Sequence, residues 1–152
     1  MSTIATTAQK WITRAHAAVY RATGGKVAGR MMGSPVLLLT TTGRKSGKER
    51  TTPLLYLEDG ENLVVVASNG GAPRHPAWWL NLKVDPEPRV RVGDRTLRVR
   101  AEEAKGEEKR RLWARLVEMY PAYEDYQRRT TREIPVVILR PQRGTSGSNP
   151  VG

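Results

Sequence analysis

Within the stretch TTTGRKSGKERTTP, from Thr40 to Pro53, four cations (Arg44, Lys45, Lys48 and Arg50) and the Ser46 hydroxyl stand beside Gly43 and Gly47. Guanidinium and ammonium groups on a glycine-permitted turn, with backbone N–H donors between them, can converge on phosphate or carboxylate oxygens. A solvated basic hairpin tip is the plainer reading of the same residues. The stretch is not a Walker A loop, because Glu49 follows Lys48 where Ser or Thr is required. A second polar group, Ser68-Asn69-Gly70-Gly71, follows an apolar run and offers a hydroxyl, an amide and two unobstructed backbone positions, a seat for a planar ligand or a phosphate. A third is Tyr120, Tyr123 and Tyr126, whose steps of three put the rings on one side if the segment from Ala122 to Arg128 is helical. Those phenols either look over a pocket or pack on the sheet. The chain has no Cys, which rules out disulfides, thiolate metal sites and cysteine nucleophiles and fits a reducing, cytoplasmic setting. His16 and His75 are too few for a histidine-rich metal site, so no metal is expected.

The elements that must position these groups follow from hydrophobic periodicity. Pro35 to Thr42 and Arg50 to Glu58 read as the two strands of a hairpin around the basic turn. After the turn Asp59-Gly60-Glu61-Asn62, the run Leu63 to Ser68 is apolar enough to be buried on both faces. Pro76 to Val84 reads as a short helix. Its adjacent Trp78 and Trp79 point in different directions, which predicts that they do not bury in one core site and that one faces a cleft. Arg89 to Val92 and Thr96 to Ala101 alternate about the Gly93-Asp94 turn, with Arg89, Arg91, Arg98 and Arg100 on one face. Gly106 to Tyr120 carries a helical stripe of Leu112, Trp113, Leu116, Val117 and Tyr120 that Pro121 ends, and Ile134 to Leu139 reads as a last strand. Antiparallel hairpins with helices between them favour an α+β fold, a barrel or half-open barrel of about six strands. Residues 1–34 form an N-terminal segment, an amphipathic helix from Ala5 to Ala22 followed by a Gly-rich connection. Residues 35–141 form the domain, and 142–152 a flexible tail.

The formal charge of +11 calls for an acidic partner, whether nucleic acid, a lipid surface or a small polyanion. No aromatic residue interleaves with the arginine face, which removes the stacking platform that single-strand binders use and argues against nucleic acid. No apolar run approaches the roughly 20 residues of a membrane span. The first helix either packs on the sheet or lies on anionic lipid, which would place a cytoplasmic protein peripherally at the inner membrane face.

LLLTTTGRKSGKERTTPL, VVVASNGGAPRHPAWWLNL and MYPAYEDYQRRTTREIPVVIL, in this order from about Pro35 to Pro141, resemble the deazaflavin-dependent nitroreductase and quinone reductase family. Its members use coenzyme F-420 on a split β-barrel. The resemblance implies a cofactor with an acidic tail of phosphodiester, lactate and glutamates, and hydride transfer to an electron-poor acceptor such as a quinone, a nitro compound or an activated alkene. By motif position it implies that Arg44, Lys45 and Ser46 hold the phosphate and nearby tail, with Lys48 and Arg50 in the same field. Thr52 and Pro53 would border the ring, Ser68, Asn69, Gly70 and Gly71 would run under it, and Trp78 and Asn81 would close the side. Tyr120, Tyr123 and Tyr126 fall over the substrate face, and Ser68 near the reacting centre. Flavin mononucleotide, which related split barrels bind, is the alternative cofactor.

Overall fold

The computed structural model describes residues 30–31 and 34–142. Its strands are β1 (Arg30–Met31), β2 (Ser34–Thr42), β3 (Glu49–Leu55), β4 (Leu57–Asp59), β5 (Asn62–Val66), β6 (Arg89–Val92), β7 (Arg95–Glu103) and β8 (Val136–Pro141). The helices are α1 (Ala77–Val84), α2 (Gly106–Met119) and α3 (Ala122–Arg129). One antiparallel sheet runs β1-β2-β6-β7-β8-β5-β4, with β3 on the other edge of β2. Because β3 and β4 are successive pieces of one segment, the two ends of this sheet meet again at Tyr56 and the sheet curls into a split barrel. The Tyr56 N–H donates to the Pro35 carbonyl at 3.1 Å and ties that joint.

Two expectations change here. The strand expected from Arg50 to Glu58 breaks at Tyr56, and part of the expected Gly-rich connection, Arg30–Met31, pairs with Ser34 and Pro35. Six expected strands therefore become eight described ones. The first residue of the expected tail is hydrogen-bonded to the sheet: Gln142 donates from its backbone N–H to Arg98 O at 2.9 Å and from Nε2 to Val99 O at 3.0 Å. The helix expected from Ala5 to Ala22, its contact with lipid and the rest of the tail lie outside the described residues. Among the described residues no helix is long and apolar enough to cross a membrane.

The run Leu63 to Ala67 is buried throughout, and alternation divides it between two cores. Leu63, Val65 and Ala67, with Val137 and Leu139 of β8, fill the barrel together with Leu37, Leu39 and Val99. Val64, Val66, Val136 and Ile138 face the other way, against Leu112 and Leu116 of α2 and Tyr123 of α3. Asp59 clamps α2 to this wall: Arg111 donates to both its carboxylate oxygens at 3.0 Å, and Arg115 to one at 2.9 Å. The Arg111 hydrogen bond, ahead of the other causes, holds the Asp59 carboxyl below its ordinary range.

Trp78 and Trp79 correct the expectation that they cannot share a core site. They are 7% and 5% exposed and both belong to the barrel core, because the short α1 lies close enough for two neighbouring faces to touch it. Two of the four arginines on that face are matched with carboxylates. Arg89 donates to Glu49 at 2.6 and 3.0 Å, Arg100 to Glu87 at 3.0 Å, and Arg140, on the neighbouring β8, to Glu102 at 2.6 Å.

Candidate active site

The basic turn is built by close backbone approach. Gly43 N–H donates to Lys48 O at 2.7 Å and Gly47 N–H to Gly43 O at 2.8 Å, while the Ser46 hydroxyl accepts from Lys48 N–H at 3.1 Å. A Cβ on Gly43 would come within 2.8 Å of Ser46 Oγ, and Gly47 sits at φ +75°, so both positions need glycine. The side chains of Lys45, Lys48 and Arg50 emerge from this turn exposed, and among the described residues none forms an ion pair.

Arg44 is held differently. Asn81 Oδ1 accepts from the Arg44 backbone N–H at 3.1 Å and from its Nη1 at 3.0 Å, and Asn81 Nδ2 donates to Thr41 Oγ1 at 3.1 Å. Asn81 and Thr41 are 3% and 2% exposed, so α1 anchors the turn through a buried polar network. Two residues expected at the side of the site thus stand behind it: the Asn81 amide is spent on the turn, and Trp78 lies in the core. Sequence position alone does not show this, since 37 residues separate Asn81 from Arg44.

Pairing with β2 sets the parity of β3. Arg50, Thr52 and Leu54 lie opposite Thr41, Leu39 and Leu37 on the barrel's inner face, whereas Glu49, Thr51 and Pro53 lie opposite Thr42, Thr40 and Leu38 on the outer one. Thr52 and Pro53, expected together beside a ring, therefore project to opposite faces. What they share is the edge of β3 away from β2, where no strand among the described residues pairs with it; a proline, lacking an N–H, suits that position. A hollow of ≈ 230 Å³ on the outer face is lined by Leu38, Thr40, Glu49, Thr51 and Arg89, away from the unpaired cations.

Opposite this edge stands the Ser68 loop. Extending the β4–β5 register, in which Leu57 faces Val64, would set Pro53 against Ser68, yet among the described residues β3 pairs only with β2 and the barrel is open along this seam. Asn69, at φ +49°, donates from Nδ2 to Arg74 O at 3.0 Å, and Gly70 and Gly71 follow at φ +64° and +83°. A Cβ on Gly71 would meet Tyr126 O at 2.9 Å and Tyr126 Cα at 3.0 Å. That glycine is why the loop can rest directly on α3, bringing Ser68 to Gly71 and the tyrosines, widely separated in sequence, into one neighbourhood. Arg132, which sequence reasoning passed over, reaches into the same loop: Nη2 donates to Ser68 O at 2.8 Å and Nε to Ala72 O at 3.0 Å.

The tyrosines do come together, with ring centroids 5.0 Å apart for Tyr120–Tyr123 and 6.3 Å for both Tyr120–Tyr126 and Tyr123–Tyr126. They do not share one role. Tyr123 is 4% exposed and packs in the core beneath α2 and α3, which corrects its placement over the substrate face; burial first, then its tyrosine neighbours, push its phenol up. Tyr120 and Tyr126 are only partly buried, with their hydroxyls 3.3 Å apart. That hydrogen bond, then burial, pushes the Tyr120 phenol up to about 12, so it stays protonated at neutral pH.

The architecture therefore gathers unpaired cations at one end of an open seam, a bare strand edge and a glycine loop along its sides, and two protonatable phenols nearby. The family model for the F-420H(2)-dependent quinone reductases matches residues 11–141. An F-420H(2)-dependent quinone reductase of Mycobacterium tuberculosis is 42% identical over 132 residues, covering 84% of this chain and 89% of that protein. A solved F-420-H(2)-dependent reductase is 46% identical with a TM-score of 0.65, covering 70% of this chain and 94% of that one. A second solved chain, described as a domain-swapped dimer, is 39% identical with a TM-score of 0.67 and covers 87% of this chain and 98% of its own. The family's description specifies quinone reduction, which is narrower than the nitroreductase resemblance, and names reduced coenzyme F-420 rather than flavin mononucleotide. With the model spanning most of the chain and the fold a split barrel, this protein belongs to the F-420H(2)-dependent quinone reductase family.

Proposed function

We propose that this chain reduces quinones with hydride from coenzyme F-420, whose acidic tail lies on the hairpin tip. The observation that carries the reading is a cluster of cations. Lys45, Lys48 and Arg50 stand together, exposed, on one turn at the mouth of the open seam, and among the described residues none of them is matched to a carboxylate as Arg89, Arg100 and Arg140 are. A cluster left uncompensated beside donor-rich backbone fits a tail of phosphate and carboxylates. In this reading Arg44, Lys45 and Ser46 hold the phosphate, Lys48 and Arg50 the groups beyond it, and the edge at Thr52 and Pro53 faces Ser68, Asn69, Gly70 and Gly71 across the ring. When bound, the reduced deazaflavin supplies the hydride that quinone reduction needs.

The chain's own part is orientation and charge. Tyr120, whose proton burial and the bond to Tyr126 hold in place, donates to the Tyr126 oxygen and so orients the Tyr126 hydroxyl, which serves as the hydrogen-bond donor to a quinone oxygen on which negative charge grows. Tyr123 backs the pair as packing, and the proton that completes the quinol comes from solvent. Titration of coenzyme F-420 into the purified protein, followed by cofactor fluorescence, tests the tail site. The Arg44→Ala/Lys45→Ala double variant should bind about tenfold more weakly or worse, taking charge-assisted bonds at roughly 1.5–3 kcal/mol before discounting for exposure. Unchanged affinity in that variant, or a wild-type protein that leaves the reduced cofactor unoxidised in the presence of a naphthoquinone, refutes the proposal.

A further inference from the structure

We infer that Arg132 is a positioning residue of this cleft: its guanidinium fixes loop 67–75 against α3 and so sets the separation between Ser68 and the Tyr120–Tyr126 pair. The inference rests on the reading of the cleft given above. Four contacts leave the one guanidinium. Nε donates to Ala72 O at 3.0 Å, Nη2 to Ser68 O at 2.8 Å and Nη1 to Ala67 O at 3.3 Å, with His75 Nδ1 at 3.1 Å from Nη1. Ala67 and Ser68 lie on the limb entering the loop, Ala72 and His75 on the limb leaving it, so a single planar fork spans both. No carboxylate pairs with Arg132 among the described residues, and its charge is answered by three carbonyl dipoles and the His75 ring nitrogen. A guanidinium placed to neutralise an acid would not be arranged this way.

Arg132 is itself tied to α3. Gln127, the residue after Tyr126, donates from Nε2 to Arg132 O at 2.9 Å, and its Oε1 accepts from Ile134 N–H at 3.0 Å. On its other side the loop touches α3 through Gly71, with no room for a Cβ against the Tyr126 backbone. Loop and helix are thus braced twice, and the Arg132 brace is the adjustable one, because it acts through a side chain. Lysine could not replace it. Its three donors radiate from one nitrogen and cannot lie along two limbs of a loop as the fork does.

The test uses the full chain and two variants, Arg132→Lys and Arg132→Ala, with three readouts: amide hydrogen exchange in loop 67–75, coenzyme F-420 affinity by fluorescence, and kcat and KM for a naphthoquinone. In Arg132→Lys, exchange in the loop should rise at least tenfold while α2 keeps its protection. Cofactor affinity should stay within about twofold, since the tail is held at the hairpin tip. Turnover should fall on the order of tenfold to a hundredfold, the cost of a misplacement of about 1 Å, with a smaller change in KM. Arg132→Ala should behave alike. Wild-type kcat in either variant, recovery of both exchange and kcat by lysine, a kcat loss that merely follows lost cofactor affinity, or a lysine variant that does not fold would each overturn the inference. A wild-type chain that binds no coenzyme F-420 would instead sink the functional reading, and the exchange comparison would still decide whether Arg132 braces the loop.

Discussion

Replacing Asn81 by leucine perturbs the turn without touching any of its cations. The Arg44 backbone N–H loses a neutral hydrogen bond, about 1 kcal/mol, and the buried Thr41 hydroxyl loses its donor partner, roughly 1–2 kcal/mol. The bond from the exposed Arg44 guanidinium contributes about 0.5 kcal/mol after screening by solvent. Leucine, of similar size, returns roughly 1 kcal/mol of apolar burial. The net loss is about 2 kcal/mol, read as a lower midpoint in urea denaturation with the slope unchanged. Binding responds more gently. Arg44 keeps its charge but must be ordered by the ligand, a cost of about 0.5–1.5 kcal/mol per side chain, so coenzyme F-420 should bind roughly threefold to tenfold more weakly. The double-mutant cycle separates the two effects: once Arg44 is alanine, Asn81→Leu should still destabilise the fold but should not further weaken binding. If Asn81→Leu left the urea midpoint unchanged, or weakened binding as much with Arg44 absent as with it present, Asn81 would not be acting through Arg44.

Further outcomes follow from single contacts. Gly71→Ala should cost about 2–4 kcal/mol, since its Cβ meets backbone at 2.9 Å and the residue holds φ +83°; Gly70→Ala, strained only in φ, should cost about 1 kcal/mol, and equal melting temperatures for the two would refute the contact argument. Tyr126→Phe should lower quinone turnover about tenfold or more while leaving cofactor affinity within twofold; undiminished kcat would remove it from the reaction. Because the Tyr120 phenol is pushed up to about 12, its bond to Tyr126 should persist between pH 8 and about 10, and a fall in wild-type turnover centred below pH 10 that Tyr120→Phe abolishes would contradict the assignment. His75 is held below its ordinary value, by burial first and then by the Arg132 charge. The unfolded chain therefore takes up its proton first, and stability present above about pH 6.5 should decline as pH falls through that value towards the folded pKa. In His75→Gln that slope should be shallower, and an identical pH profile would show that His75 does not cause it.

Much of the fold was legible because its strands alternate or run apolar for long stretches, and its turns carry glycine. Arg89–Val92, the stripe on Gly106–Met119 and the doubly buried β5 are local patterns with local causes. What was not legible depends on contacts across the chain. The break at Tyr56 comes from bringing two sheet edges together, and neither edge can be recognised from sequence beforehand. The shared burial of Trp78 and Trp79 reflects how close α1 lies to the barrel, a distance that helical periodicity does not contain. Within the site, the basic turn, the Ser68 loop and the tyrosines stand out by residue type, whereas Arg132 looks like any other arginine in a chain of net charge +11. Only its three carbonyl partners distinguish it.

The wall shared by two cores has a consequence for how the chain finds its pairing. Sliding β8 by one residue along β5 would exchange the side chains serving the two interiors, and Leu63 to Val66 against Val136 to Leu139 would remain hydrocarbon on hydrocarbon. Oil-and-water sorting, which penalises such slips in most sheets, is nearly silent here. Correct alignment has to be dictated at the margins, by Ala67 N–H on Pro135 O at 3.0 Å, Ala104 N–H on Val136 O at 2.8 Å and the Arg140–Glu102 pair between β8 and β7. Substitutions at those flanking positions, though far from the seam, are where misregistered and aggregating chains should arise.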